Sequence, residues 1–201
     1  MNRQTRTLVV TLSIMFRKLI LTAMVMLPLS VACAAELHDV TLPDTRVVDG
    51  IPMRLNGIGL RTYSFLDIPI YVAGLYLEHR SDNADAILHS PERKLLEFQF
   101  LRDVDAERAR NSWRSGLKNA CEPPCQLDPR DVERFLAAVP DLHKGDKTVM
   151  LFTSKSVDVT FNGQRMGLIS NPHFATVMLA SFIGSKPPTV RLKRALLGAR
   201  D

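Results

Sequence analysis

The amino-acid sequence predicts an α+β domain, in which an antiparallel β-sheet carries helices on one of its faces. Two observations support this prediction. The apolar segments form a hairpin and strands, a helix, a strand, two helices, a three-strand meander and two final helices, without internal repeats. Strands joined by tight turns pair antiparallel, and the helices then bury their apolar stripes against the sheet. The late segment 172–184 is almost entirely apolar, which indicates a core helix rather than a surface helix.

The strand predictions rest on turn residues and on alternation of apolar residues. Asp49-Gly50 lies between two short apolar runs and predicts a hairpin over residues 42–54. Asn162-Gly163 is a turn of the same kind within the predicted meander. The strand over residues 68–78 is apolar on both faces, which suits a strand covered on both sides. The other strands are expected at residues 53–62, 94–102, 148–152, 157–161 and 165–169.

The helix predictions rest on residues that cap helix N-termini. Ser81 or Asp82 is expected to cap a short helix, and Asp103 or Asp105 a longer one that reaches about residue 119. Proline fits the first turn of a helix, so an Asp-Pro or Asn-Pro pair is a further start signal. The remaining helices are expected to begin at Asp128-Pro129, at Asn171-Pro172 and at Thr189.

The N-terminus has the three parts of a secretory signal peptide. Arg17-Lys18 precedes the apolar run 19–31, and Ala32-Cys33-Ala34 follows it as a cleavage site. The run is shorter than the ~20 residues that a membrane-spanning helix needs. We therefore expect a signal peptide over residues 1–34 and one domain over residues 35–201, exported to the periplasm or secreted, with no stable membrane insertion after cleavage.

Two alternatives concern the same segment. Met15 directly precedes the basic residues and is a second candidate for the start of translation. Cys33 could carry a lipid anchor instead of being removed with the signal peptide. A lipoprotein signal requires a branched aliphatic residue where Ser30 lies, so simple cleavage is favoured.

The charge of the domain argues against a nucleic-acid partner. The whole chain has a formal net charge of +5, but four of its basic residues and none of its acidic residues lie within residues 1–34. The predicted mature domain is therefore nearly neutral. A basic pI that comes largely from a signal peptide gives no support to nucleic-acid or membrane-surface binding.

Cys121 and Cys125 are the two cysteines of the predicted mature domain. In an exported protein a close pair of this kind predicts a disulfide, and closing so small a loop contributes roughly 2 kcal/mol. A zinc site would need two further ligands, and the five histidines show no ligand-like spacing. No Walker loop, G-x-S-x-G or H-E-x-x-H motif is present, so no metal and no cofactor are expected.

Arg61 is the candidate binding residue. It ends a strand segment in which Gly57 and Gly59 alternate, which leaves room for close approach to the backbone or marks a bulge. An arginine that points inward needs a partner for its charge. That partner could be Asp67 or Asp103, or it could be the carboxylate of a ligand.

Several segments resemble, in the same order, the signature of the chalcone-isomerase superfamily. The similarity covers residues 39–197 and is greater to the compact exported bacterial branch than to the plant enzymes. The resemblance implies an open-faced β-sandwich with a large antiparallel sheet, helices layered on one face and an apolar cleft between them. The matching segments are Gly57-Ile58-Gly59-Leu60-Arg61, residues 70–78, Phe100-Leu101-Arg102-Asp103-Val104, residues 179–184 and residues 192–196.

The resemblance also implies candidate site residues. In the plant enzymes an arginine polarises a chalcone during its cyclisation to a flavanone, without a cofactor, and Arg61 matches it. Two threonines of the family fall at Tyr71 and Ser181, and a catalytic tyrosine is replaced by Leu101. Other members bind fatty acids and hold the carboxylate with an arginine and a tyrosine, an arrangement that Arg61 and Tyr71 resemble.

Three functions follow as alternatives. The first is binding of an amphipathic anion, a fatty acid or a phenolic acid, in an apolar cleft through Arg61, Tyr71 and Ser181. The second is an isomerase or intramolecular lyase for a chalcone-like or enone substrate, with the same three residues catalytic. The third is a structural or interaction protein of the cell envelope whose cleft is filled by side chains. The fill would come from Met53, Met166, Met178, Phe174 and Phe182.

Overall fold

The computed structural model describes residues 34–63 and 66–199. The predicted signal peptide, with Met15 and Cys33, lies outside the described residues except for Ala34. The strands of the described part are β1 Ala34–Leu37, β2 Val40–Pro43, β3 Thr45–Val48, β4 Ile51–Tyr63, β5 Ile68–Leu77, β6 Lys94–Phe100, β7 Lys147–Phe152, β8 Val157–Phe161 and β9 Gln164–Ile169. The helices are α1 Ala84–His89, α2 Ala106–Ala120, α3 Pro129–Ala138, α4 Pro172–Ile183 and α5 Val190–Leu196.

Seven strands form one antiparallel sheet in the order β3-β4-β5-β6-β7-β8-β9. Each strand therefore pairs with its neighbours in sequence, and the helices are inserted between strands or follow the last one. Both predicted tight turns are present, and their residues Asp49, Gly50, Asn162 and Gly163 all have positive φ. This backbone twist matches the twist of the paired strands. The predicted α+β class with a large antiparallel sheet is confirmed.

Two local predictions were wrong. Residues 34–43 form the separate two-stranded sheet β1-β2, so Leu42 belongs to this sheet and not to the predicted hairpin. Helix α1 is capped by Asn83, whose side chain accepts a hydrogen bond from the Ala86 N–H, and not by Ser81 or Asp82. Asn83 is as good a cap as its neighbours, so the local sequence did not distinguish them.

The sheet has an apolar core on each face. On one face helices α2, α3 and α4 pack over β5–β9, and α4 is the most buried of them, as its composition predicts. On the other face the β1-β2 sheet covers β4, β5 and β6, around Val72 and Tyr76. Residues 72–77 of β5 are all buried for this reason, which confirms the prediction of a strand covered on both sides.

Helix α5 packs directly on strand β4 at the two alternating glycines. A Cβ atom at Gly57 would lie 1.9 Å from the carbonyl oxygen of Ala195, and one at Gly59 would lie 2.9 Å from the Ala195 Cβ. The strand pairing also shifts register between Leu55 and Gly57. Gly57 and Gly59 therefore allow helix α5 to pack closely on β4, and Gly57 lies at an irregularity of the strand. The two glycines do not make room for a ligand.

Cys121 and Cys125 form the predicted disulfide, with their Cα atoms 5.1 Å apart. The bridge closes the connection between α2 and α3. Among the described residues no helix has the length and apolar character required to cross a membrane.

Replacing Gly57 by alanine is expected to destabilise the protein. The new Cβ would overlap the backbone of α5, which cannot move away as a flexible side chain can, and overpacking of this kind costs about 1–3 kcal/mol. Chemical denaturation followed by circular dichroism measures the difference. Gly167→Ala is the matched control, since a Cβ at this strand position meets nothing within 4 Å. Equal stability of the two variants would contradict the packing of α5 on β4.

Candidate functional site

A cavity of about 930 Å³ lies between the helix-covered face of the sheet and helices α2, α3 and α4. Its wall is mostly apolar and aromatic, and polar groups occur at a few positions. Its apolar and aromatic lining includes Ile68, Ile70, Phe98, Phe100, Trp113, Phe135, Met150, Phe161 and Phe182. All three predicted site residues, Arg61, Tyr71 and Ser181, line this same cavity.

Arg61 and Tyr71 are direct cross-strand neighbours. They are paired in the antiparallel register of β4 and β5, at the point where the register shifts before Thr62. Residues opposite each other in an antiparallel pair have their side chains on the same face of the sheet. The hairpin that joins β4 to β5 therefore places a guanidinium beside a phenol in the wall of the cavity.

The charge of Arg61 has no acidic partner among the described residues. One guanidinium nitrogen donates a hydrogen bond to the carbonyl oxygen of Thr62. Asp67 instead accepts a hydrogen bond from the Thr62 hydroxyl at 3.1 Å. Asp103 accepts one from the Lys144 N–H at 2.8 Å. Neither aspartate that the sequence offered as a partner neutralises the guanidinium, which is half-buried.

Tyr71 is held by aromatic contacts. Its ring lies edge-to-face against Phe98 at 5.1 Å and against Phe100 at 5.7 Å. Burial raises the pKa of the Tyr71 hydroxyl, and the positive charge of Arg61 lowers this pKa by a smaller amount. The phenol therefore stays protonated at physiological pH and can donate a hydrogen bond. No described residue bonds to it.

Ser181 reaches the cavity from helix α4. Its hydroxyl donates a hydrogen bond of 2.7 Å to the carbonyl oxygen of Met178, and its side chain is buried. Gly116 of α2 faces it across the helix contact, where an added Cβ would lie 3.7 Å from the Ser181 Cβ. The Ser181 proton is already engaged within its own helix, so the hydroxyl oxygen is better placed to accept than to donate.

Leu101 does not take part in the cavity. It packs with the apolar cluster on the opposite face of the sheet, near the β1-β2 strands. Leu101 therefore makes an apolar contact in a different core and contributes no group to the cavity.

Sequence reasoning missed the arginines at the cavity. Arg102, Arg108 and Arg134 all line it. Arg108 pairs with Asp105 at 3.1 Å, and Arg134 lies 3.7 Å from Asp131. Arg102 is exposed and has no acidic partner among the described residues.

A signal for Arg102 was present in the sequence. Position 102 lies two residues after Phe100, so continued strand alternation would place both side chains on the same face. Arg110, on the same helix as Arg108, is half-buried and does not line the cavity. Its guanidinium donates to the carbonyl oxygens of Leu136 and Val139 at the end of α3.

Comparison with known proteins identifies the family and the fold of the chain. The sequence profile described as chalcone isomerase-like matches residues 34–198. The chain therefore belongs to the chalcone isomerase-like family. Its fold is similar to that of a fatty-acid binding protein of Arabidopsis thaliana, with a TM-score of 0.70 at 14% sequence identity, over 83% of this chain and 96% of that protein. At this identity the likeness shows the fold alone. No curated protein sequence matches the chain.

Proposed function

We propose that the protein binds an amphipathic anion, a fatty acid or a phenolic acid, in the cavity between the sheet and helices α2–α4. The observation that carries this proposal is the guanidinium of Arg61, which lies in the mostly apolar wall of the cavity without an acidic partner among the described residues. A fixed positive charge in apolar surroundings favours a ligand that combines a negative group with an apolar body.

Arg61 and Tyr71 together can hold a carboxylate. Arginine has five N–H donors in a planar fork, and the contact with the Thr62 carbonyl engages one nitrogen only. The Tyr71 hydroxyl lies on the same side of the β4-β5 pair and remains protonated, so it is a second donor. Ser181 contributes an acceptor oxygen on the helix side, which suits a protonated or hydroxylated ligand group.

The cavity also fits such a ligand in size and lining. Ligand sites commonly have volumes of about 300–1,000 Å³ and mostly apolar walls with few polar groups. The cavity here is about 930 Å³. The structural neighbour from Arabidopsis thaliana is described as a fatty-acid binding protein, which supports the same class of ligand for this fold.

The catalytic alternative has less support. An isomerase would need a proton donor or acceptor near the substrate. Burial raises the pKa of Tyr71, which makes it a weaker acid, and the Ser181 proton is engaged by Met178. Leu101 supplies no phenol to the cavity.

The filled-cleft alternative also has less support. Met166 and Phe182 lie in the wall, but the space between sheet and helices remains open. Met53 belongs to the apolar cluster on the other face of the sheet. Phe174 and Met178 are fully buried.

The proposal includes export. The signal peptide that the sequence predicts over residues 1–34 and the disulfide in the domain are both typical of a protein that works in an oxidising compartment. A binder in the periplasm or outside the cell would meet its ligand there, and not in the cytoplasm.

Arg61→Ala is expected to weaken binding of palmitate and p-coumarate about 10- to 100-fold. Hydrogen bonds to charged groups contribute about 1.5–3 kcal/mol, and each ~1.4 kcal/mol is a tenfold change in affinity. Isothermal titration calorimetry of the purified protein measures the change. Wild-type affinity for palmitate should also fall as the ligand carboxyl is protonated below about pH 5, because the neutral acid no longer pairs with the guanidinium of Arg61. In Arg61→Ala this pH dependence should be much reduced.

Two controls test whether the loss of affinity in Arg61→Ala comes from the lost charge. Arg54→Ala removes an exposed arginine from the same strand, outside the cavity wall, and should leave both affinities unchanged. Hexadecanol has the apolar chain of palmitate without its charge, and its affinity should be similar in wild type and Arg61→Ala. A loss of affinity for the alcohol equal to that for the acid would show that the substitution disturbs the cavity and would remove the proposed role of Arg61.

Export is tested by the N-terminus of the protein recovered from its native host. Cleavage after Ala34 predicts a chain that begins at Ala35 and a mass without lipid. Intact mass spectrometry of the purified protein shows both where the chain begins and whether it carries a lipid. A lipid-modified N-terminal Cys33 would replace simple cleavage with the lipoprotein alternative, and an uncleaved chain in the cytoplasm would contradict export.

A further inference from the structure

A second cluster of chemically active side chains lies outside the cavity. Cys121 and Cys125 come from the connection between α2 and α3, and His173 comes from the first turn of α4. The Nε2 atom of His173 lies 3.3 Å from the Sγ atom of Cys125. One potential ligand atom from each of the three residues lies within 4.8 Å of the others. None of the three residues lines the ligand cavity, so the cluster is independent of the proposed function.

We propose that these three residues form a redox-gated binding site for a thiophilic cation, with Zn²⁺ as the representative ion. In the disulfide form the two sulfur atoms are bonded to each other and cannot act as thiolate ligands. After reduction, two thiolates and one imidazole provide a ligand set that zinc prefers. The fourth position of a tetrahedral site is then open to water or another small ligand.

The geometry needs only a small change on reduction. Zinc bonds of about 2.0–2.3 Å place the ligand atoms of a tetrahedral site about 3.5–4 Å apart. The contact between Cys125 and His173 is already close to this separation, and the two cysteine Cα atoms lie 5.1 Å apart. When the S–S bond is broken, the two sulfur atoms can move apart to the spacing of zinc ligands. All three ligand atoms can then contact the same ion.

The site is accessible from solvent. His173 is exposed, and both cysteines are only partly buried. The neighbouring carboxylate of Glu122 is paired with Lys186 at 2.7 Å, so three protein ligands are the set that the geometry offers. Both a reductant and an ion can reach the sulfur atoms without opening the core.

The chemistry has two balanced steps. A dithiol reductant transfers two electrons and two protons to the disulfide, which gives two protein thiols and the oxidised, cyclic disulfide of the reductant. Zn²⁺ then replaces the two thiol protons, which are released to solvent. Oxidation of the thiolates would reverse the process and release the ion.

The test uses purified protein without a histidine tag, reduced with a phosphine and desalted under inert gas. Zn²⁺ alone is titrated in competition with a chromophoric chelator. The reduced wild type is expected to bind one Zn²⁺ per chain, at least about 100-fold more tightly than the oxidised protein, because thiolates are available only after reduction. Zinc binding should release protons, which is measured in weakly buffered solution.

Three variants locate the site. His173→Ala should weaken zinc binding by about tenfold or more while leaving the disulfide and the fold intact, because His173 is exposed. Cys121→Ser should abolish tight binding. His143→Ala is the control, since His143 is also an exposed histidine and lies in a loop away from the cysteines. The proposal is overturned if reduced wild type binds zinc no more tightly than oxidised protein, or if His173→Ala binds as tightly as wild type.

Discussion

The register between strands β4 and β5 is the constraint on which the candidate site depends. It pairs Arg61 with Tyr71 and so places a permanent positive charge and a protonated phenol on the face of the sheet that the helices cover. A charge in apolar surroundings is costly unless it is paired or remains in contact with water. Arg61 is half-buried beside an open cavity, which limits this cost and leaves the guanidinium available for an anion.

The apolar cores on the two faces of the sheet make this arrangement rigid. The strand β5 that carries Tyr71 is buried on both sides, by the helices on one face and by the β1-β2 sheet on the other. Helix α5 lies against the glycines of β4, a few residues before Arg61 in the same strand. Tyr71 therefore lies in a strand that is paired on both sides, with Arg61 on β4 and Phe100 on β6, and Arg61 is held through its pairing with Tyr71.

The sequence predicted what depends on local chemistry. The turns at Asp49-Gly50 and Asn162-Gly163, the proline-initiated helices and the buried helix α4 all follow from a few neighbouring residues. The β1-β2 strands were missed because each has only four residues, which is too short for a clear alternation of apolar and polar residues. Contacts between segments that are distant in sequence could not be predicted from neighbouring residues.

Two such contacts bear directly on function. The sequence offered Asp67 and Asp103 as partners of Arg61, and only the fold shows that both bond elsewhere. His173 lies 48 positions after Cys125, so no spacing rule connects them before α4 is packed against α2. The family resemblance supplied the three candidate residues, and the structure places all of them in one cavity.

A crystal structure of the protein with bound palmitate tests the central claim most directly. We expect the acyl chain to lie between the sheet and helices α2–α4, with its carboxylate within hydrogen-bonding distance of the Arg61 guanidinium and the Tyr71 hydroxyl. A carboxylate held by Arg102 at the cavity wall, or a chain bound elsewhere while Arg61 has no ligand, would contradict it.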